Sequence, residues 1–476
     1  MPIDNLIKTI QNIMRKDQGV AGDGQRIEQI VWMLFLKLFD DQEKYYELRD
    51  PKYKSPIPEK LRWRNWAQNP EGITGDELLE FINQQLFPGL KNLSVGSDNR
   101  CGLLIHSAFE DAYNYMKSGT LIRQVVNKIN EVDFNKKSDR HLLNDIYERL
   151  LKELQGAGNY GEFYTPRPLT KFIVDMIDPK LGEKVLDPAC GTGGFLVNTI
   201  EHIRENYVKS SADEKKLHNS IHGTELKSLP HLLAITNMIL HGIEVPDNIR
   251  RDDMLSKPLT EYGPKDRVDV IVANPPFGAS VKDGTEKNFP SELRTKETAD
   301  LFLILFIHLL KDGGRAGIVL PDGSLFGEGA KTKIKEKLLR ECNVHTIIRL
   351  PQGVFNPYAG VNTNLIFFEK GSPTKDIWYY QLPLPEGMKQ YTKNRGIANE
   401  EFEPVQKWWK KRIENKNAWK VSIKEIEQRN YNIDFKNPNN ILADKNLDPE
   451  EILENIINTE NKIIKILDDI KKNLGS

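Results

Sequence analysis

Val185-Leu186-Asp187-Pro188-Ala189-Cys190-Gly191-Thr192-Gly193-Gly194-Phe195 is a short apolar run that ends on an acid, breaks into glycines and reopens with helical spacing. Val185 and Leu186 read as a first strand, and the residues after the glycines as the start of a helix. Glycines at such a turn let the backbone approach a ligand where side chains would stand in the way. The run is not G-x-G-x-x-G, and no G-x-x-x-x-G-K-[ST] loop occurs in the chain. A phosphate would also be repelled by Asp187, whereas a cationic ligand would suit it.

Outward from this turn, Ile221 to Thr224, Val268 to Ala273, Ala316 to Leu320, Val344 to Leu350 and Asn364 to Phe368 read as further strands. Leu169 to Ile177, Leu229 to Leu240 and Leu301 to Leu310 read as helices between them. The alternation predicts an α/β fold with a parallel, Rossmann-like sheet covered on both faces. Ahead of it, Arg26 to Asp41 is apolar on nearly all sides, as in a helix buried within a bundle. Residues 50–70 are rich in Pro, Lys and Trp without periodicity and predict an ordered loop. Helical spacing returns at 141–154, and Gly156 to Asn159 reads as a hinge.

Beyond Ser372 the pattern loosens. Trp408, Trp409 and Trp419 sit among lysines and are expected to pack a small helical subdomain with snorkelling lysines, a nucleic-acid surface being the other reading. Asp448-Pro449-Glu450-Glu451 has the form of a helix start. Leu453, Ile456, Ile463, Leu467, Ile470 and Leu474 then follow coiled-coil-like spacing, for a partner helix or for docking on the chain's own domain. The expected division is an N-terminal helical domain over 1–155, a catalytic domain over 156–371, an extension over 372–446 and a C-terminal helix over 447–476.

The 476 residues predict several domains, and 39% hydrophobic with 28% charged residues describes a soluble, globular chain. No apolar run approaches a membrane span, and Met1-Pro2-Ile3-Asp4 lacks the form of a secretory signal. The 3 cysteines are far apart, so a disulfide framework or zinc site is not expected and a reducing cytosol is. His218 and His222, on a possible shared helix face, read as packing residues; no metal is expected. Lys and Arg total 67 against 68 Asp and Glu, a net charge of -1. A protein that holds DNA alone usually carries a basic excess. Either the bases are gathered on one face or a partner supplies much of the affinity.

Asn274-Pro275-Pro276-Phe277 directly follows the β-run Val268 to Ala273. Asn-Pro also starts ordinary turns, but a strand before it and a separate ligand turn point to chemistry. A conjugated amino nitrogen is a poor nucleophile because its lone pair is delocalised. The Asn274 side-chain oxygen and the Pro275 carbonyl can accept its two hydrogens and favour pyramidalisation, while paired prolines stiffen the loop.

Residues 187–195 resemble motif I of DNA amino-methyltransferases, and Asn274 to Phe277 resembles their motif IV. Order and flanks are similar to the methylation (M) subunit of type I restriction-modification systems. Gly161-Glu162-Phe163-Tyr164-Thr165-Pro166-Arg167-Pro168 matches that family's segment ahead of motif I. Leu350 to Tyr358 and Thr363 to Phe368 resemble its last strands, and the helical first region its N-terminal domain. The resemblance implies S-adenosylmethionine as cofactor. Glu162, Phe163, Tyr164, Thr165, Pro166 and Arg167 would wrap its methionine part, and Asp187 would face its positive charge. Thr192, Gly193 and Gly194 would line the turn, Glu225 would hold the ribose hydroxyls, and Asp253 (or Asp252) would meet the adenine ring. The longer interval before Glu225 is assigned to the polar stretch Lys209 to Asn219.

The family would place an adenine flipped out of double-stranded DNA at Asn274, Pro275 and Pro276, with Phe277 stacked on it. Amino-cytosine is the other DNA target, and Phe355 and Tyr358 either shape the base pocket or fill the core. Methylation of a protein glutamine amide, or a non-catalytic assembly role, would use the same scaffold. The implied partners are a specificity subunit, a second methylation subunit and a motor-nuclease restriction subunit, since little chain remains after the sheet to read a DNA sequence.

Overall fold

The structure, a computed structural model, describes residues 3–93, 99–132, 165–356, 360–392 and 394–440, with single helical positions between 453 and 464. The expected helix at 141–154 and hinge at 156–159 lie outside the described residues, as do Glu162, Phe163, Tyr164 and Tyr358. Of the expected C-terminal seam, Leu453 and Ile463 are described, both helical and exposed.

Among the described residues nine strands form one sheet: β1 (Val185–Asp187), β2 (Ile221–Glu225), β3 (Ile249–Arg251), β4 (Val268–Ala273), β5 (Leu310–Pro321), β6 (Cys342–Arg349), β7 (Thr363–Lys370), β8 (Asp376–Gln381) and β9 (Ala418–Ser422). Their order is β3-β2-β1-β4-β5-β7-β6-β8-β9. The strands from β3 to β5 are parallel, but β7 runs antiparallel to both β5 and β6, and β9 antiparallel to β8. The sheet is therefore mixed, not parallel throughout as the alternation predicts. Among the described residues no crossover helix separates β6 from β7, and a strand that returns without one pairs antiparallel.

Three strands carry no clear signal. Ile249-Arg250-Arg251 is too short and charged to show a run, and β8 and β9 lie in the stretch expected to be helical. That expectation is corrected: the sheet continues past Gly371, and Trp419 stacks on Tyr379 at 5.4 Å across β9 and β8. Trp408 is buried and Arg412 lies over the Trp409 ring, so packing, the favoured reading of these tryptophans, describes the two indoles that the sheet covers. Residues 50–70 also differ from a plain loop. They contain a 3-10 turn at Glu59–Leu61 and a helical turn, Trp63–Trp66, whose indoles are buried.

The N-terminal helices include α1 (Ile3–Met14), α2 (Asp23–Arg49), α3 (the turn Trp63–Trp66), α4 (Gly75–Glu80), α5 (Phe87–Lys91), α6 (Arg100–Phe109) and α7 (Gly119–Asn130). The sheet is flanked by α8 (Arg167–Ile177), α9 (Gly194–Asn206), α10 (Ser211–Ser220), α11 (Ser228–Leu240) and α12 (Thr298–Leu309). The polar stretch before β2 is thus an added helix, capped by Ser210 accepting from the Asp213 N–H. His218 lies on α10 and His222 on β2, so they share no helix face.

Two apolar cores result. One joins α8 and α12 to the sheet from β1 and β4 through β9. The other contains the N-terminal helices together with α9, α11 and residues of β2 and β3. Because α11 carries apolar residues around nearly its whole circumference, it needs cover on both the sheet side and the outer side, and α2 supplies the outer cover. Gln42 Nε2 and Tyr46 Oη both donate to the Glu244 carbonyl, at 2.9 and 3.1 Å, along the same junction.

Candidate functional site

The chain leaves β1 for β2 and β3 and returns to β4 on the other side of β1, which makes the carboxyl ends of β1 and β4 a topological switch point. Open α/β sheets bind ligands at such a crevice. Val185 pairs with Val270 and Leu186 with Ile271, so Asp187 ends β1 and Asn274 directly follows its parallel neighbour β4. Glu225 ends β2 on the other side of β1.

The turn after β1 is built on glycine. Gly191 and Gly193 have φ of 54° and 82°, in the left-handed region that costs other residues roughly 1–2 kcal/mol. A Cβ on Gly193 would come within 3.1 Å of Met238 Cε. The Cys190 N–H donates to the Thr224 carbonyl at 2.9 Å and ties the turn to β2. The Gly191 N–H donates to Glu225 Oε2 at 2.9 Å, and the Lys227 N–H to Glu225 Oε1 at 2.8 Å. Glu225 thus organises the turn as well as standing beside it.

Asp187 is 1% exposed and accepts from the Ala189 N–H at 3.2 Å. Burial pushes its carboxyl well above the usual range, the Ala189 bond opposes this, and the Glu225 charge adds to it. Burial likewise raises Glu225, against the Lys227 and Gly191 N–H groups. The buried Asp187 and the half-buried Glu225, which repel one another, form a site whose charge is relieved by a cation. A phosphate would worsen it.

Several predicted residues brace this turn. Thr192 offers its carbonyl to Asn237 Nδ2 at 3.0 Å, and Gly194 its carbonyl to Arg167 Nη1 at 3.1 Å. Pro166 is the N-cap of α8 and Arg167 its first residue. Asn237 is not among the expected site residues, yet it is a buried amide within the apolar run of α11. An amide in a run that is otherwise mostly apolar is its signal. Asp253 Oδ1 accepts from the Leu255 N–H at 2.9 Å, and Asp252 Oδ1 from the Asp253 N–H at 2.8 Å, so both carboxylates shape the loop after β3.

Asn274 Nδ2 donates to Thr165 Oγ1 at 2.9 Å. Its Oδ1 is buried without a hydrogen-bond partner among the described residues. With the amide nitrogen engaged, the oxygen is the atom left for a donor. A buried carbonyl oxygen without a partner costs about 1–3 kcal/mol, which an incoming N–H would recover. Pro275 is buried and Pro276 half-buried. Phe277 departs from expectation: it is 3% exposed and lies edge-on to Phe355 at 6.0 Å, itself buried. In this structure both rings are core, and the open face expected for a base is not presented.

Residues 138–446 match the family described as N-6 DNA Methylase, and residues 3–129 match the HsdM N-terminal domain. The chain is 54% identical, over its full length and 98% of the relative, to the type I restriction enzyme EcoEI methylase subunit of Escherichia coli. The chain is a type I methylase subunit.

Among solved structures, a modification subunit assigned to a type I restriction enzyme of Vibrio vulnificus YJ016 superposes with a TM-score of 0.83 at 44% identity, covering 92% of this chain and 96% of that one. A second, from work on complex assembly and conformational transition of the type I R-M system, has a TM-score of 0.83 at 35% identity and covers 99% and 98%. The methylase subunit is accordingly an adenine-specific DNA methyltransferase by class, with the methyltransferase fold preceded by a helical region. Among the described residues no helix is long and apolar enough to cross a membrane.

Proposed function

We propose that this methylase subunit transfers a methyl group from S-adenosylmethionine to the N6 amino group of an adenine flipped out of double-stranded DNA. The observation that carries the reading is Asn274: its Oδ1 has no donor among the described residues while Thr165 holds its Nδ2, beside a glycine turn flanked by the buried Asp187 and the half-buried Glu225.

The residues fit the cofactor, because Asp187 and Glu225 suit a cationic ligand and the backbone at Gly191 and Gly193 is shaped for close approach. S-adenosylmethionine supplies an electrophilic methyl on a sulfonium leaving group. Asp187 would face the positive charge, Thr192, Gly193 and Gly194 would line the ligand, Glu225 would accept from ribose hydroxyls, and Asp253 would meet its adenine. Glu162, Phe163, Tyr164, Thr165, Pro166 and Arg167 complete the proposed cradle. Asn274 Oδ1 and the Pro275 carbonyl accept the two N6 hydrogens, so the nitrogen lone pair turns out of the ring plane. The nitrogen would form its bond to the methyl carbon as the sulfur–carbon bond breaks with its electron pair left on sulfur, and would then lose one proton to solvent. Pro275 and Pro276 keep the acceptors in place, so alignment does most of the work. Phe277 stacks on the base if its contact with Phe355 opens.

Sequence choice belongs in this reading to a separate specificity subunit, with a second methylation subunit and a motor-nuclease restriction subunit completing the assembly in the cytosol. A net charge of -1 supports help in holding DNA. The proposed division of labour gives 1–155 and 447–476 to partner contacts, 156–371 to catalysis and 372–446 to extending the sheet. Labelled cofactor, duplex DNA and the chain with and without its specificity subunit form the test. Methylation should need both proteins and vanish in Asn274→Ala. Full activity of that variant, or efficient site methylation by the chain alone, would sink the respective claim.

A further inference from the structure

β5 continues beyond the pairing of Ala273 with Ile318 and ends at Pro321, on the edge of the sheet where Asn274 lies one strand away. The next residues form a short helical turn, Asp322–Phe326, followed by Gly327. This turn is tethered from several sides. The Asp322 N–H donates to the Asn362 carbonyl at 3.0 Å, and Asp322 Oδ1 accepts from Asn364 Nδ2 at 2.7 Å. Ser324 Oγ donates to the buried Asp300 Oδ1 at 2.7 Å. The Leu325 carbonyl accepts from Lys335 Nζ at 3.0 Å and from the Ile433 N–H at 3.1 Å. Lys335 Nζ also reaches the Gly327 carbonyl at 2.7 Å, although Lys335 is only 1% exposed.

Burying a lysine ammonium is costly, and here it is spent on two carbonyls of a surface turn. Ser324 and Leu325 are buried, yet the Phe326 ring that follows them is 50% exposed. Val361, which precedes the Asn362 that holds the turn, is 52% exposed. The tethered backbone keeps Phe326 at the surface, with half of the residue open to solvent.

We propose that Phe326 is a positioning residue for DNA, its ring entering or stacking on the duplex beside the extruded adenine. The proposal rests on the function proposed above. On that reading the catalytic edge must receive a duplex whose target base leaves the stack, and this leaves a gap and unstacked neighbours. Apolar side chains that fill such steps lower the cost of distortion. Asn274 would hold the extruded base, and Phe326, beyond the adjacent strand, would meet what remains.

The test uses the chain co-purified with its specificity subunit and two duplexes carrying the adenine that methylation mapping in the host assigns to the system. In one the adenine is paired with thymine; in the other it faces an abasic site, where no pair must break. Phe326→Ala should slow methylation of the paired duplex by roughly 5- to 100-fold, the range of one base–aromatic stack. It should slow methylation of the abasic duplex less than about threefold and leave cofactor affinity unchanged, and Phe326→Trp should restore the rate. Rates within twofold of wild type on both duplexes overturn the proposal. So does an equal loss on both, or loss of co-elution with the specificity subunit, which would assign the ring to a protein contact. Failure of the wild-type complex to methylate either duplex overturns the functional reading itself and this proposal with it.

Discussion

Thr165 and Asn274 are 109 residues apart in the chain and joined by one hydrogen bond, from Asn274 Nδ2 to Thr165 Oγ1 at 2.9 Å. The bond sets which end of the amide faces the crevice. It also links the segment expected to wrap the cofactor to the loop expected to hold the base.

Removing that hydroxyl should cost turnover beyond any loss of cofactor affinity, because Thr165 belongs to the proposed cradle as well as holding Asn274. Thr165→Ala is expected to lower kcat about 10-fold with little change in KM for DNA, and Thr165→Ser to retain most activity. Asn274→Ala should lose roughly 100- to 1,000-fold, as when one preorganised hydrogen-bonding group is removed from a transition state. Single-turnover methylation with each variant measures both. Equal rates for Thr165→Ala and wild type would remove the hydroxyl from the mechanism.

In its proposed role Glu225 should make cofactor affinity depend on pH. Burial raises its carboxyl, against the N–H groups of Lys227 and Gly191, so it takes up a proton at a higher pH than an ordinary glutamate. In the proposed role the ionised form would accept from ribose hydroxyls, so affinity should fall as pH drops through that raised value. Glu225→Gln should weaken binding by roughly 10- to 100-fold and flatten the dependence. Calorimetric titration with S-adenosylmethionine between about pH 5 and pH 8 tests this.

A different pH dependence is expected for stability. His202 Nδ1 lies 3.1 Å from Asp175 and its Nε2 2.9 Å from Asp178. Burial works to lower the imidazole, but the two carboxylates outweigh it and hold the His202 value above 6.5. A raised folded value means the contribution is complete below the unfolded value and is lost as pH rises through the folded one. The acids shift the other way: burial opposes ionisation, but the bonds from His202, with Lys171 at Asp175 and Tyr207 at Asp178, prevail. Their contribution is lost as pH falls below the usual carboxylate range. Tm should decline on the order of 1–3 °C as pH rises beyond about 6.5, and His202→Gln should abolish that decline. An unchanged slope in the variant would assign the effect elsewhere.

The N-terminal helices should not be separable from the sheet without consequence. Leu232, Leu233 and Met238 of α11 belong to the same core as Trp32 and Phe35 of α2. A fragment starting at residue 165 would expose the outer side of α11 as an apolar patch. Sedimentation should find it aggregated at concentrations where the full chain is not. A soluble, cooperatively folded fragment would show that the shared core is dispensable.

What the amino-acid sequence determined by itself was local. A β-run, an acid and glycines before a helix mark the turn at 187–194, and Asn-Pro-Pro-Phe after Val268 to Ala273 marks the second loop, because strand alternation, helix spacing and glycine or proline backbones act over a few residues. The tertiary structure decided the rest. It placed β1 beside β4, brought Thr165 to Asn274, reversed β7 within the sheet and turned Phe277 into the core. It also made β8 and β9 of a stretch that reads as helical, and joined the N-terminal helices to α11. These outcomes depend on which distant surfaces bury one another, a sum over many weak contacts that no short window of sequence contains.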